Sequence, residues 1–182
     1  TVTELDGSLV PLEGIVAAGI PCARLQGLSL RNVGLTVYEG RKRLYQDFGE
    51  LLFTHFGVSG PLVLSASAHM RHFGRKEYRL EIDLKPALDE GQLDKRLLSD
   101  FQKNLNHDFR NALDELLPQK LIPVAVELSG IPPQEKVHDI TREQRQALLG
   151  VLKRFPVEIT GKRPVTEAIV TSGGVKVGEV DP

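Results

Sequence analysis

Residues 78–102 read Tyr-Arg-Leu-Glu-Ile-Asp-Leu-Lys-Pro-Ala-Leu-Asp-Glu-Gly-Gln-Leu-Asp-Lys-Arg-Leu-Leu-Ser-Asp-Phe-Gln, and the apolar period changes partway through. Tyr78, Leu80, Ile82 and Leu84 alternate with Arg79, Glu81 and Asp83, the two-residue period of a strand with one buried face. After Pro86, Leu93, Leu97, Phe101 and Leu105 recur every fourth residue, which predicts an amphipathic helix. Upstream, Leu28 and Leu30, then Leu35 and Val37, alternate with polar neighbours before a turn at Glu39-Gly40. Between these strands, Ser59-Gly60-Pro61 followed by Leu62, Val63, Ala66, Met70 and Phe73 predicts a helix entered through a capping residue, with proline in its first turn. Downstream, Phe109, Ala112, Leu113, Leu116 and Leu117 keep helical spacing. Pro118 is placed to open a further helix through Leu121, Ile122, Ala125 and Val126, with Pro123 kinking it or delaying its start. Thr141 and Gln144 fit a capping box ahead of Leu148, Leu149 and Leu152, in a helix that should stop before Pro156. From Val157 and Ile159 the pattern is again that of strands, with a turn region at Gly161 and a last run at Ala168-Ile169-Val170. The order sheet, helices, sheet predicts an α+β fold: a small antiparallel β-barrel formed by the N- and C-terminal segments, with an inserted helical bundle. The expected domains are a discontinuous barrel over 1–85 and 156–182 and a helical insertion over 86–155.

Composition narrows the classes. Hydrophobic residues make up 41% of the 182-residue chain, and Lys+Arg 23 nearly cancel Asp+Glu 24, as in an ordinary globular protein. Residues 85–155 carry eleven Lys/Arg against eleven Asp/Glu, so the helical part has no basic excess with which to hold nucleic acid. No apolar run reaches a membrane span and no secretion signal opens the chain, so a cytoplasmic protein without membrane contact is expected. Cys22 is the only cysteine, which excludes an intrachain disulfide, a cysteine-rich zinc site and a CxxC pair; redox chemistry would need a borrowed cofactor. The chain opens at Thr1-Val2-Thr3 and stops at Asp181-Pro182, and both ends are expected to be boundaries within a longer polypeptide.

Two glycine-bearing segments stand out: Gly49-Glu50-Leu51-Leu52-Phe53-Thr54-His55-Phe56-Gly57-Val58-Ser59-Gly60-Pro61 and Thr171-Ser172-Gly173-Gly174-Val175. In the first, a strand enters a helix whose free N–H groups near Ser59 and Gly60 can receive an anion or a polarised carbonyl; ordinary capping is the competing and commoner reading. His55 can donate a proton or orient a ring. In the second, Gly173 and Gly174 let the backbone turn sharply or lie flat against a planar ring; a hairpin turn is the alternative. No G-x-G-x-x-G or Walker loop is present. Gly57-Val58-Ser59-Gly60 is not the elbow of a serine hydrolase. His55, His69, His72, His107 and His138 include no H-E-x-x-H; His69 and His72, expected on one helix, have no carboxylate at ligand spacing, so no metal site is expected. Cys22 is read as an inert thiol.

The run from Gly49 to Pro61, together with Pro156-Val157-Glu158-Ile159-Thr160-Gly161 and Ala168 through Val175 to Pro182, resembles the BaiN/RdsA-type (YhiN-like) group of NAD(P)/FAD-dependent oxidoreductases. The resemblance implies a middle region, barrel plus helical insertion, whose partner is the FAD-binding domain of the same polypeptide. It places Thr171, Gly173, Gly174 and Val175 against the flavin, with Thr54, His55, Gly57, Ser59 and Gly60 near the ring or the substrate. His55 and Thr54 become the candidate catalytic residues, and Gly57, Ser59 and Gly60 join the second segment as cofactor-binding candidates. FAD and NAD(P)H are the implied cofactors, and reduction of a carbon–carbon double bond, in a steroid-like small molecule or an RNA uracil, is the implied reaction. The fragment alone is then expected to be inactive and unable to bind FAD. The alternative is a stand-alone protein-interaction or RNA-contacting module without catalysis.

Overall fold

A computed structural model describes residues 6–164 and 170–172. Among the described residues, strand β1 (Asp6–Ser8) pairs with β9 (Val170–Ser172) alone, as an antiparallel ribbon with Gly7 opposite Thr171. The other strands are β2 (Leu12–Val16), β3 (Ile20–Pro21), β4 (Ser29–Glu39), β5 (Lys42–Phe53), β6 (Gly57–Ser59), β7 (Tyr78–Asp83) and β8 (Phe155–Lys162). They form one antiparallel sheet in the order β3-β2-β6-β5-β4-β7-β8. A further pairing of β2 with β8 closes six of them into a barrel, with β3 appended to β2. The expected α+β barrel with intervening helices is therefore present.

Alternation writes the barrel interior, and bulges shift its phase. In β4, Leu30 and then Val33, Leu35 and Val37 are buried, a change from even to odd positions. Leu30 faces Leu51 but Val33 faces Gly49, so the β4 stretch holds one residue more than its partner, and this extra residue rotates the strand's faces. In β7, Tyr78, Leu80 and Ile82 point inward as the alternation predicts.

Helix α1 (Pro61–Ser67) follows β6 and packs on β5. Between β7 and β8 lie α2 (Glu90–Lys103), α3 (Ile122–Ser129) and α4 (Arg142–Lys153). Capping boxes start two of them: Asp89 with Gln92 at α2, and Thr141 with Gln144 at α4. Helix α3 begins at Ile122 because Pro123 fits a first turn, where an N–H has no helical partner. Leu93, Leu97 and Phe101 of α2 and Leu148, Leu149 and Leu152 of α4 join the barrel residues in one continuous core.

Several local expectations are corrected. Residues 109–117 are not a helix. Phe109 and Arg110 spend their N–H groups on the carbonyls of Glu135 and Pro133, beside a bridge between Asp108 and Lys136, so only a short 3₁₀ turn over Phe109–Asn111 forms. Leu113 then accepts from Leu116 and Leu117, one turn that Pro118 cannot prolong. The apolar residues keep their burial: Phe109, Leu113, Leu116 and Leu117 all lie in the core. Helix α1 stops at Ser67, so Met70 and Phe73 reach the core from the connection beyond it, and its N-cap is Gly60 rather than Ser59. His69 and His72 are off the helix too. Leu105, past the end of α2, is 39% exposed. Gly161 lies within β8, opposite Glu13, rather than in a turn.

Phe155 opens the closing strand, is fully buried and meets Phe53 edge to face, with ring centroids 6.2 Å apart. Phe155→Ala should cost about 3–5 kcal/mol, because little around it can collapse into the void. Urea unfolding followed by circular dichroism checks this; a loss below about 1 kcal/mol would mean that the ring does not hold the closure.

Candidate functional site

The turn between β5 and β6 carries Thr54, His55 and Phe56 and closes on Gly57, the first residue of β6. Its shape is set internally: Thr54 N–H donates to the Gly57 carbonyl at 2.9 Å, and Gly57 N–H donates to Thr54 Oγ1 at 3.1 Å. This projects His55 at the tip, exposed, with its ring edge-on to Phe56 at 5.1 Å. The turn is held against β2 by Gly14 N–H, which donates to the Phe56 carbonyl at 3.0 Å. From the other side the Arg163 guanidinium covers the Phe56 ring at 4.3 Å, and its Nη1 meets Glu13 Oε1 at 3.3 Å.

The glycines of this segment answer to packing. A Cβ on Gly57 would stand 2.1 Å from the Leu12 carbonyl oxygen and 2.7 Å from Gly14 N, because β6 lies tightly against β2. Gly60 has φ +94°, and a Cβ there would crowd Leu52 N at 3.1 Å. Ser59 is half-buried in β6 opposite Leu52. Helix α1 is seven residues long and starts with Pro61, which lacks an N–H, so its first turn offers an anion little.

The structure thus gathers Thr54, His55, Gly57, Ser59 and Gly60 along one connection. Thr171 lies apart from them in sequence, in β9, opposite Gly7; Gly173, Gly174 and Val175 lie outside the described residues. The ribbon β1–β9 is continuous in sequence with β2 and β8 at Leu12 and Lys162, which face each other across the barrel closure.

Other clusters gave no sign in local sequence. The Glu39 carboxylate accepts the Tyr78 hydroxyl at 2.8 Å and meets His72 Nδ1 at 3.2 Å, and these two bonds hold its pKa below the usual value. Tyr45 stacks on His69 at 4.6 Å and donates to Asp47 at 2.9 Å; burial first and then Asp47 push its phenol up to about 12. A polar cleft of about 600 Å³ is lined by Asp100, Asn104, His107, Asp108, Glu115 and Lys136. Glu39 with Tyr78 and His72, Tyr45 with His69, and Asp108 with Lys136 are far apart in sequence, and the fold brings them together. Among the described residues no group of three or more His, Cys, Asp or Glu could hold a metal ion, and no helix is long and apolar enough to cross a membrane.

Two predictions follow from this geometry. Gly57→Ala should destabilise by at least about 2 kcal/mol, since its methyl collides with backbone, whereas Ser59→Ala should stay within about 1 kcal/mol; paired urea titrations compare them. Cys22 is buried, and burial pushes its thiol up from 9.0 to about 11. A folded-state pKa raised in this way contributes stability below pH 9 that is lost as pH rises towards 11. The native protein should resist thiol reagents at pH 8 and react once unfolded; rapid labelling without denaturant would contradict the burial.

Comparison with known proteins covers nearly all of this architecture. Residues 7–170 match the family described as "HI0933-like protein barrel and H2TH domain". The chain is similar to the 3-dehydro-bile acid delta(4,6)-reductase of Clostridium scindens, 30% identical over 145 residues, 79% of this chain and 36% of that protein. It is also similar to the ribosomal RNA dihydrouridine synthases of Escherichia coli, 33% identical over 134 residues (71% and 30% of the two chains), and Haemophilus influenzae, 29% over 151 residues (83% and 34%). The chain spans about a third of the length of the curated relatives it matches. With the closed barrel, the helices between β7 and β8 and the glycine-bearing turn all inside the matched span, this chain belongs to the HI0933-like family, the BaiN/RdsA-type group that its sequence resembles.

Proposed function

We propose that this chain is the substrate-side part of a bacterial, cytoplasmic flavin-dependent oxidoreductase that uses NAD(P)H to reduce a carbon–carbon double bond. In this reading FAD is held mainly by a dinucleotide-binding domain of the same polypeptide, and the barrel (1–85 and 156–182) and helical insertion (86–155) are inactive without it. The family membership carries the reading. Among its relatives are a delta(4,6)-reductase and ribosomal RNA dihydrouridine synthases, and we read both names as pointing to the saturation of a double bond.

The described residues alone do not make a flavin cradle. The space beside Gly57 and Gly60 is filled by the chain's own backbone, and His55 projects from an open turn. What they offer is an edge for a neighbouring domain to complete, with Thr171, Gly173, Gly174 and Val175 proposed to approach the ring from the adjoining segment. FAD, when bound, accepts hydride from a nicotinamide and passes it to an electron-poor carbon. This chain's share is to orient the acceptor and hold the proton that balances the hydride. Thr54 Oγ1 accepts the Gly57 N–H, a bond that does not use its hydroxyl hydrogen, and the His55 imidazole next in sequence is exposed. The acceptor is a small unsaturated molecule or a uracil in RNA; the near-zero charge leaves any grip on an RNA backbone to the rest of the protein.

The intact polypeptide should purify yellow, with a flavin spectrum bleached by NAD(P)H and restored by an unsaturated steroid acid or by unmodified ribosomal RNA. A colourless protein that cannot be reconstituted with FAD would refute the reading. His55→Gln should keep the flavin and lose about 10²-fold in kcat, the usual weight of a general acid; an unchanged rate removes His55 from that role.

A further inference from the structure

Arg163 follows the last residue of β8, at the point where the chain leaves the barrel towards β9. Its backbone N–H donates to the Pro11 carbonyl at 3.0 Å, which extends the β2–β8 ladder by one step. Its side chain then turns back over the barrel wall to cover Phe56 at 4.3 Å and to reach Glu13 at 3.3 Å. One residue at the end of β8 therefore touches both the turn bearing Thr54 and His55 and strand β2.

Resting on the functional reading above, we infer that Arg163 is a positioning residue: it latches the His55-bearing turn to the segment leaving β8 and so sets where His55 stands relative to the bound acceptor. The bonds between Thr54 and Gly57 fix the internal shape of the turn but not its tilt against the barrel. Beyond the pairing of Gly57 with Glu13, two contacts on Phe56 bear on that tilt, the Gly14 N–H on its carbonyl and the Arg163 guanidinium on its ring. The first pins the backbone at one point, and the second stops rotation about it. A planar guanidinium suits this task, since it stacks on a ring while its edge pairs with a carboxylate; an ammonium does one or the other. The barrel does not need the side chain to close, because backbone pairing from Leu12–Lys162 to Val16–Val157 does that. The ion pair is partly exposed, with Arg163 26% and Glu13 39% accessible, so stacking rather than charge carries most of the latch.

The test uses the intact polypeptide with Arg163→Ala, Arg163→Lys and Phe56→Leu, read by hydrogen exchange over residues 54–57, melting temperature, flavin content and steady-state kinetics. In Arg163→Ala the turn amides should exchange about tenfold faster, the scale of opening expected when a cation–π contact on the turn is lost. The melting temperature and flavin content should hold, kcat should fall about tenfold with KM for the nicotinamide unchanged, and Arg163→Lys should recover part of both effects. Phe56→Leu should copy Arg163→Ala. Unchanged exchange at 54–57, a kcat indifferent to faster exchange, or a loss matched by a general fall in melting temperature would each overturn the inference. A wild-type protein without flavin would strike the functional reading, whereas a yellow, active protein whose turn ignores Arg163→Ala would strike the latch alone.

Discussion

Pairing of β2 with β8 is the constraint on which the rest of the molecule depends. It joins segments roughly 140 residues apart, and holding the ends of so long a loop together costs on the order of 4 kcal/mol in chain entropy before any contact forms. The return comes from packing. Leu12, Val16, Phe155 and Val157 are fully buried at the seam, and each contributes roughly 1.5–3 kcal/mol when its side chain leaves water. The approach is close enough that side chains are excluded at two places. A Cβ on Gly14 would stand 2.7 Å from the Glu158 carbonyl, and one on Gly57 would meet Leu12. Closure, and the seat of the turn at residues 54–57, are thus two results of the same tight contact around β2.

The helices inherit their position from that closure. Chain exit from β7 and re-entry to β8 are tied together: Leu84 N–H donates to the Leu152 carbonyl at 2.9 Å, and Lys153 Nζ reaches Asp83 Oδ2 at 2.8 Å along with the carbonyls of Lys85 and Leu88. Lys153 is only 12% accessible, so these bonds are shielded from salt. Arg145 of α4 also pairs with Asp94 of α2 at 2.7 Å. The helical lobe is consequently fixed to the barrel at its root, and its core is continuous with the barrel's.

How far sequence carried the fold depended on the range of the interactions. Periods of two and four residues are local, so β7, α2 and α4 were legible from Tyr78–Leu84, Leu93–Phe101 and Thr141–Leu152. The failure at Phe109–Leu117 is instructive, because helical spacing of apolar residues records burial rather than hydrogen bonding. All five residues are buried, yet the N–H groups of Phe109 and Arg110 are claimed by Glu135 and Pro133, more than twenty positions away. Likewise Leu30 and Leu35 give no local hint of the bulge at Arg31–Asn32 that joins their phases. The Gly49–Pro61 string could be recognised as unusual, but the reasons for Gly57 and Gly60 lie in β2 and β5, and Arg163, the cap of Phe56, is over a hundred residues downstream.

Rigidity is therefore distributed unevenly, and in a useful direction. Opening the barrel or freeing the helices would break a ladder, a dense core and the buried bonds of Lys153 together. Moving the tip at Thr54–Phe56 would disturb the Gly14–Phe56 backbone bond and the Arg163–Phe56 contact while the strands on either side stay paired. Local opening follows such differences, with the least-tied segments at the low end of the stability range. A side chain proposed, as His55 is, to meet an acceptor held partly by another domain would need a fixed base and a small range of adjustment. His55 has both, because the strands on either side of its turn belong to the closed barrel while the tip itself is held by few bonds. The glycines of this segment serve the base, and Thr54 and His55, proposed to exchange the proton, lie at the tip that the contacts on Phe56 orient.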